Sequence, residues 1–104
     1  MAEVEERILR IKNHKGVAGL LIVDDTGKVM RTTLSTSDPQ NNPLHIAKKV
    51  TELAMKARSV VRDLDPTNDM TFFRVRSKNK QEIMVAPDKN LFLIVIQRTD
   101  FEEN

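Results

Sequence analysis

The stretch "LFLIVI", Leu91 to Ile96, constrains this chain more than any other. Successive side chains of a strand point to opposite faces, so a strand with one wet face alternates apolar and polar residues. An uninterrupted apolar run instead demands cover on both faces, which places this strand in the middle of a sheet with a layer on either side. The chain has 104 residues, enough for a single domain over 1–104 and too few for a separate catalytic module. A domain of this length hides roughly 65% of the surface its unfolded chain exposes, so further burial against a partner adds substantially to stability.

The other elements follow from periodicity and punctuation. In "AEVEERILRIKNHKG", Val4, Ile8 and Ile11, with Leu9 beside them, lie at helical spacing. Acids stand early and bases late, as the helix dipole favours, and Gly16 is a stop. "VAGLLIVDDTGKVMRTT" reads as strands at about 17–24 and 28–34 around an Asp25-Thr26-Gly27 turn. "LSTSDPQNNP" is a loop. From Leu44 to Leu64 the residues Ile46, Val50, Leu53, Ala57, Val60 and Leu64 recur at alternating steps of four and three, which predicts a long helix with this stripe available to a sheet. Ala47, Ala54 and Val61 form a smaller flank about 80° to its side, and Lys48, Lys49, Glu52, Lys56, Ser59 and Asp63 fill the wet arc. After "DLDPTND", the runs "MTFFRVRS", "QEIMVAPD" and "NLFLIVIQ" with short connections predict an antiparallel meander. The expectation is an α/β layered domain: helix, two strands, long helix, three strands.

The chemistry-bearing residues form no catalytic constellation. Lys+Arg 17 against Asp+Glu 15 leaves a net charge of +2, too little to drive phosphate binding without clustering. There is no Cys, and therefore no disulfide, thiolate metal site or Cys nucleophile. No window approaches the ~18 apolar residues of a membrane span, and the acidic "MAEVEERILR" is unlike a targeting leader; a soluble cytosolic protein is expected, with no membrane partner. Asp63, Asp65, Thr67 and Asp69 have the alternate spacing of a calcium loop. Asn68 and Arg74 stand where that loop needs Gly and a bidentate acid, so turn and capping roles are expected. Asp24 and Asp25 read as hairpin residues. His14 and His45 have no partner at metal-ligand spacing. Neither a nucleophile elbow nor a glycine-rich phosphate loop is present. Not an enzyme, with no cofactor and no metal, is the reading. "FRVRSK" alternates basic and other residues as a nucleic-acid strand does. With so few aromatics, a protein-facing surface is the better reading, and nucleic acid is not expected as a partner.

Two long blocks, "MAEVEERILRIKNHKGVAGLLIVDDTGKVMRTT" and "KARSVVRDLDPTNDMTFFRVRSKNKQEIMVAPDKNLFLIVIQ", resemble the roadblock-type light chains of cytoplasmic and axonemal dyneins. The words "VRDLDPTND", "RVRSK" and "EIMVAPDK" carry most of that likeness. The loop "STSDPQNNP", the start of the long helix and the tail "RTDFEEN" depart from it. The resemblance implies a roadblock/longin-like fold, with a five-stranded antiparallel sheet of order 2-1-5-4-3 between the N-terminal helix and the long helix. It also implies a homodimer, or a pair with a paralogue, whose sheets join edge to edge into one ten-stranded sheet. On that reading Ala47, Ala54, Arg58, Val61, Thr71, Phe73 and Val75 form the dimer interface. Phe72, Arg74 and Arg76 floor a groove that binds the dynein intermediate chain. Location in the cytoplasm on microtubule-associated dynein, or in the ciliary axoneme, is implied in turn. The alternative the resemblance leaves is a regulatory module that binds a small GTPase.

Overall fold

The computed structural model describes residues 6, 9–10, 16–37 and 42–98. Within them the strands β1 (Val17–Asp24), β2 (Val29–Thr32), β3 (Phe73–Arg76), β4 (Gln81–Asp88) and β5 (Leu91–Arg98) form one sheet in the order β2-β1-β5-β4-β3. Every neighbouring pair is antiparallel. The long helix α1 (Pro43–Leu64) crosses one face. Of the expected N-terminal helix only Glu6, Leu9 and Arg10 are described, and they are helical. The remainder of that helix, His14 and the tail after Arg98 lie outside the described residues.

β5 occupies the middle of the sheet, as its doubly apolar run demands. Phe92, Ile94 and Ile96 are fully buried toward α1, and Leu93 and Val95 cluster on the opposite face with Leu20, Ile22 and Met84. The β1–β2 hairpin is set by Asp24, whose Oδ1 accepts from Thr26 N (2.9 Å), Thr26 Oγ1 (2.6 Å) and Lys28 N (2.9 Å). The Thr26 hydroxyl, and then the Lys28 amide, hold the Asp24 carboxyl below its ordinary value. Gly27 sits at φ +91°, a conformation any Cβ would strain. Asp24 and Asp25 therefore serve the turn, as expected.

β2 and β3 are shorter than their sequence runs. Past Thr32 the chain stays near β1 through Thr33, whose N–H donates to Leu20 O (3.1 Å) and whose Oγ1 accepts from Leu20 N (3.1 Å). It also packs Leu34 over Gly19, where an added Cβ would lie 2.3 Å from Leu34 Cδ2. Before Phe73, Asp69 is drawn toward α1 by Arg58 and Arg62, and Met70 is buried in the core beneath the helix. At its own start α1 is capped by Asn42, whose Oδ1 accepts from Leu44 N (2.9 Å) and His45 N (3.3 Å), with Pro43 in the first turn. At its end Asp65 Oδ1 accepts from Thr67 N (3.0 Å) and Thr67 Oγ1 (2.7 Å), so "DLDPTND" is a cap and turn.

The face that α1 turns to the sheet is only in part the one its bulky residues predict: Ile46, Val50 and Ala57 of the expected stripe pack on the core. Ala47 and Ala54 are completely buried with Val50 and Thr51, while Leu53 is 47%, Val60 48% and Leu64 82% exposed. The sheet supplies the volume here, through Leu21, Val23, Val85, Phe92, Ile94 and Ile96. Small helix residues let the two layers approach, and the larger aliphatics are displaced to the helix shoulder. Leu53, Val60 and Leu64 are accordingly corrected from core to surface, and Ala47 and Ala54 from interface to core.

Candidate docking face

The edge strand β3 presents two different surfaces. Its partner β4 sets the register Phe73↔Val85, Arg74↔Met84, Val75↔Ile83 and Arg76↔Glu82. Paired residues share a face, so Phe73 and Val75 lie on the α1 side with the core residue Val85, while Arg74 and Arg76 lie on the other side with Met84. Phe72 reaches that second side too, for it lines a cavity of about 370 Å³ with Val17, Met84, Ala86, Leu93, Val95, Gln97 and Arg10. The three residues expected to floor a groove are thus brought together on the face away from α1.

Their geometry is held by a residue that sequence reasoning passed over. Glu82 is an acid only 3% exposed. Its Oε2 accepts from Arg76 Nε at 2.9 Å, and its Oε1 lies 3.3 Å from Arg74 Nε. A carboxylate at such depth needs this double pairing to offset the loss of water. The Arg74 guanidinium in turn lies over the Phe72 ring, 5.7 Å from its centroid, in cation–π range. Phe72, Arg74, Glu82 and Arg76 make one connected surface. The signal was available: Glu82 is the single acid in "EIMVAP", in a strand next to one that alternates arginines at the same period.

The residues expected at a dimer interface divide. Ala47 and Ala54 have no accessible area to offer a second copy. Val61 is partly buried against the chain's own core, as is Phe73. Arg58 is engaged within the chain: its Nε and Nη2 donate to Asp69 Oδ1 (2.9 Å) and Oδ2 (3.1 Å). Arg62 Nη2 adds a bond to Asp69 Oδ2 at 3.0 Å. Those hydrogen bonds, Arg58's first, hold the Asp69 carboxyl far below the usual carboxylate range and raise Arg58 above its ordinary value. Thr71 and Val75 are exposed at the β3 edge. The exposed apolar residues of α1 include Leu53, Val60 and Leu64.

This architecture matches solved structures. The Roadblock/LC7 domain from Streptomyces avermitilis superposes with a TM-score of 0.72 at 15% identity, covering 86% of this chain and 72% of that one. The gliding protein MglB from Thermus thermophilus gives 0.71 at 19% identity over 96% of this chain and 72% of that one. MglB from Myxococcus xanthus gives 0.69 at 14% identity over 91% and 72%. These likenesses establish the fold. The sequence itself matches the model of the Roadblock/LC7 domain over residues 3–98, nearly its whole length, and the chain therefore belongs to the Roadblock/LC7 domain family.

Proposed function

We propose that the chain is a non-catalytic, dimeric docking module that holds a segment of another protein on the sheet face away from α1. The observation that carries this reading is the apolar cavity at Phe72, lying beside the free sheet edge β3. Among the described residues its lining offers only Arg10 and Gln97 as polar groups. Such a surface suits the apolar face of a helix better than a reacting small molecule, which needs convergent polar groups. A second copy, or a paralogue, pairs along β3 and packs its exposed Leu53, Val60 and Leu64 against their counterparts. That arrangement covers both the unpaired edge and the apolar helix shoulder.

The finer reading assigns the docked segment to the dynein intermediate chain, and the site of action to microtubule-bound motor complexes in the cytoplasm or cilium. It rests on the words "VRDLDPTND", "RVRSK" and "EIMVAPDK". A second reading, a regulatory module for a small GTPase, is favoured by the fold's likeness to bacterial gliding proteins, and at the level of solved structures it is the better supported of the two. Affinity purification in the presence of GDP or of a non-hydrolysable GTP analogue separates them. Recovery of dynein chains regardless of nucleotide supports the first; recovery of a GTPase in one nucleotide state only supports the second. If Phe72→Glu leaves capture of either partner unchanged, the docking face is misassigned.

A further inference from the structure

The docking face is chemically lopsided. Among the described residues no acid lines its cavity, while Arg10 does. At the Phe72 end, Arg74 and Arg76 share the single carboxylate of Glu82, which leaves that corner with net positive charge. Both arginines meet Glu82 through Nε, and both remain more than half exposed. Their terminal Nη nitrogens have no acceptor among the described residues. A guanidinium held at its Nε still presents a planar pair of donors, the geometry that a carboxylate accepts bidentately.

We propose that the occupant of this face is an acidic amphipathic helix of another protein chain. One large apolar side chain enters the cavity beside Phe72, and an Asp or Glu about one turn away meets Arg74 and Arg76. The spacing fits: the Arg74 guanidinium stands 5.7 Å from the Phe72 ring centroid, and one helical turn rises about 5.4 Å. Met84, unbranched and adaptable, lets the cavity accept more than one anchor side chain. Glu82 is a positioning residue here, since it fixes the two arginines without touching the occupant. The inference rests on the docking reading above and adds to it a sign of charge. Single-stranded nucleic acid is the competing anionic occupant, but Phe72 is the only aromatic among the described residues that line the cavity and gives one stacking platform where a tracked strand uses several.

The test uses two labelled helical peptides with the same Leu/Ala face, one carrying Glu and the other Lys beside the anchor. Their affinities for the full chain are read by fluorescence anisotropy. The Glu peptide is expected to bind roughly tenfold more tightly at low salt, with the margin shrinking as NaCl is raised. Arg74→Gln and Arg76→Gln each reduce the margin, and thermal melts of both variants verify that they fold. Equal affinities, a preference for Lys, no binding of either peptide, or tighter binding of a single-stranded oligothymidylate each overturn the inference. Equal affinities that both fall in Phe72→Glu sink the charge preference alone and leave the docking reading standing. Indifference of both peptides to Phe72→Glu sinks the docking reading itself.

Discussion

Asp69 is held by Arg58 through two parallel hydrogen bonds, one to each carboxylate oxygen, at 2.9 and 3.1 Å. A third, from Arg62, closes the clamp. Asp69 stands in the segment that leads into β3, and both arginines project from the last half of α1. The clamp therefore fixes the angle at which the sheet edge leaves the helix, and with it the relation between the β3 edge and the Leu53–Val60 shoulder.

That clamp makes stability depend on pH in the acid range. Because the Asp69 carboxyl is depressed in the folded state, the unfolded chain binds the proton first as pH falls, and stability drops with it. The contribution is complete above the unfolded carboxylate value of about 3.9 and is lost progressively below it. Asp24 and Asp65, lowered by their turn hydrogen bonds, act in the same direction. In urea titrations from pH 6 to pH 2, Asp69→Asn is expected to be less stable than the parent near neutrality and to converge with it in acid. Parallel curves would show that the clamp carries no linkage.

Ala54 and Leu53 are adjacent yet answer to different surfaces, and substitution separates them. Ala54→Glu buries a charge in the core and is expected to cost about 3–5 kcal/mol, visible as loss of the folded state. Leu53→Glu lies on the exposed shoulder and should change monomer stability by no more than about 0.5 kcal/mol. It should nevertheless weaken self-association at least tenfold in sedimentation equilibrium, since like charges meet near the two-fold axis. A dimer indifferent to Leu53→Glu would place the interface elsewhere.

Thr51 carries a buried hydroxyl with no hydrogen-bond partner among the described residues. A hydroxyl left unpaired at that depth costs free energy, so Thr51→Val, which keeps the branched shape, removes that cost. A gain of about 1 kcal/mol is expected, which for a domain of this size raises Tm by roughly 4–8 °C. A lower Tm would mean that the hydroxyl is satisfied after all.

Gly27 tests the hairpin. A Cβ there meets only ordinary contacts, the nearest 3.8 Å away, so any penalty in Gly27→Ala comes from the backbone at φ +91° and not from crowding. The expected loss is about 1–2 kcal/mol, read as a shift of the urea midpoint at unchanged slope.

Element placement was legible because it follows from local rules, whereas the strand order 2-1-5-4-3 was implied by the family resemblance. Leu91 to Ile96 had to be central, Asp25 to Gly27 had to turn, and the apolar period from Leu44 to Leu64 had to be a helix. The orientation of α1 was partly misread for a physical reason: volume needed between layers is shared by both, and the helix pattern alone does not reveal that Phe92 and Ile94 already fill the gap. Phe72, Arg74 and Arg76 were found by alternation. Glu82 was missed because its role depends on β3 and β4 pairing in one register, and register is a property of two strands read together.

The central position of β5 also shapes how the molecule is made. β1 leaves the ribosome early, but the neighbour on its inner side is β5, roughly seventy positions later in the chain. Until residue 98 has emerged, β1 and β4 wait with open inner edges and uncovered Leu20, Leu21 and Val85. Uncovered apolar faces and unpaired strand edges of this kind are prone to aggregate throughout that interval.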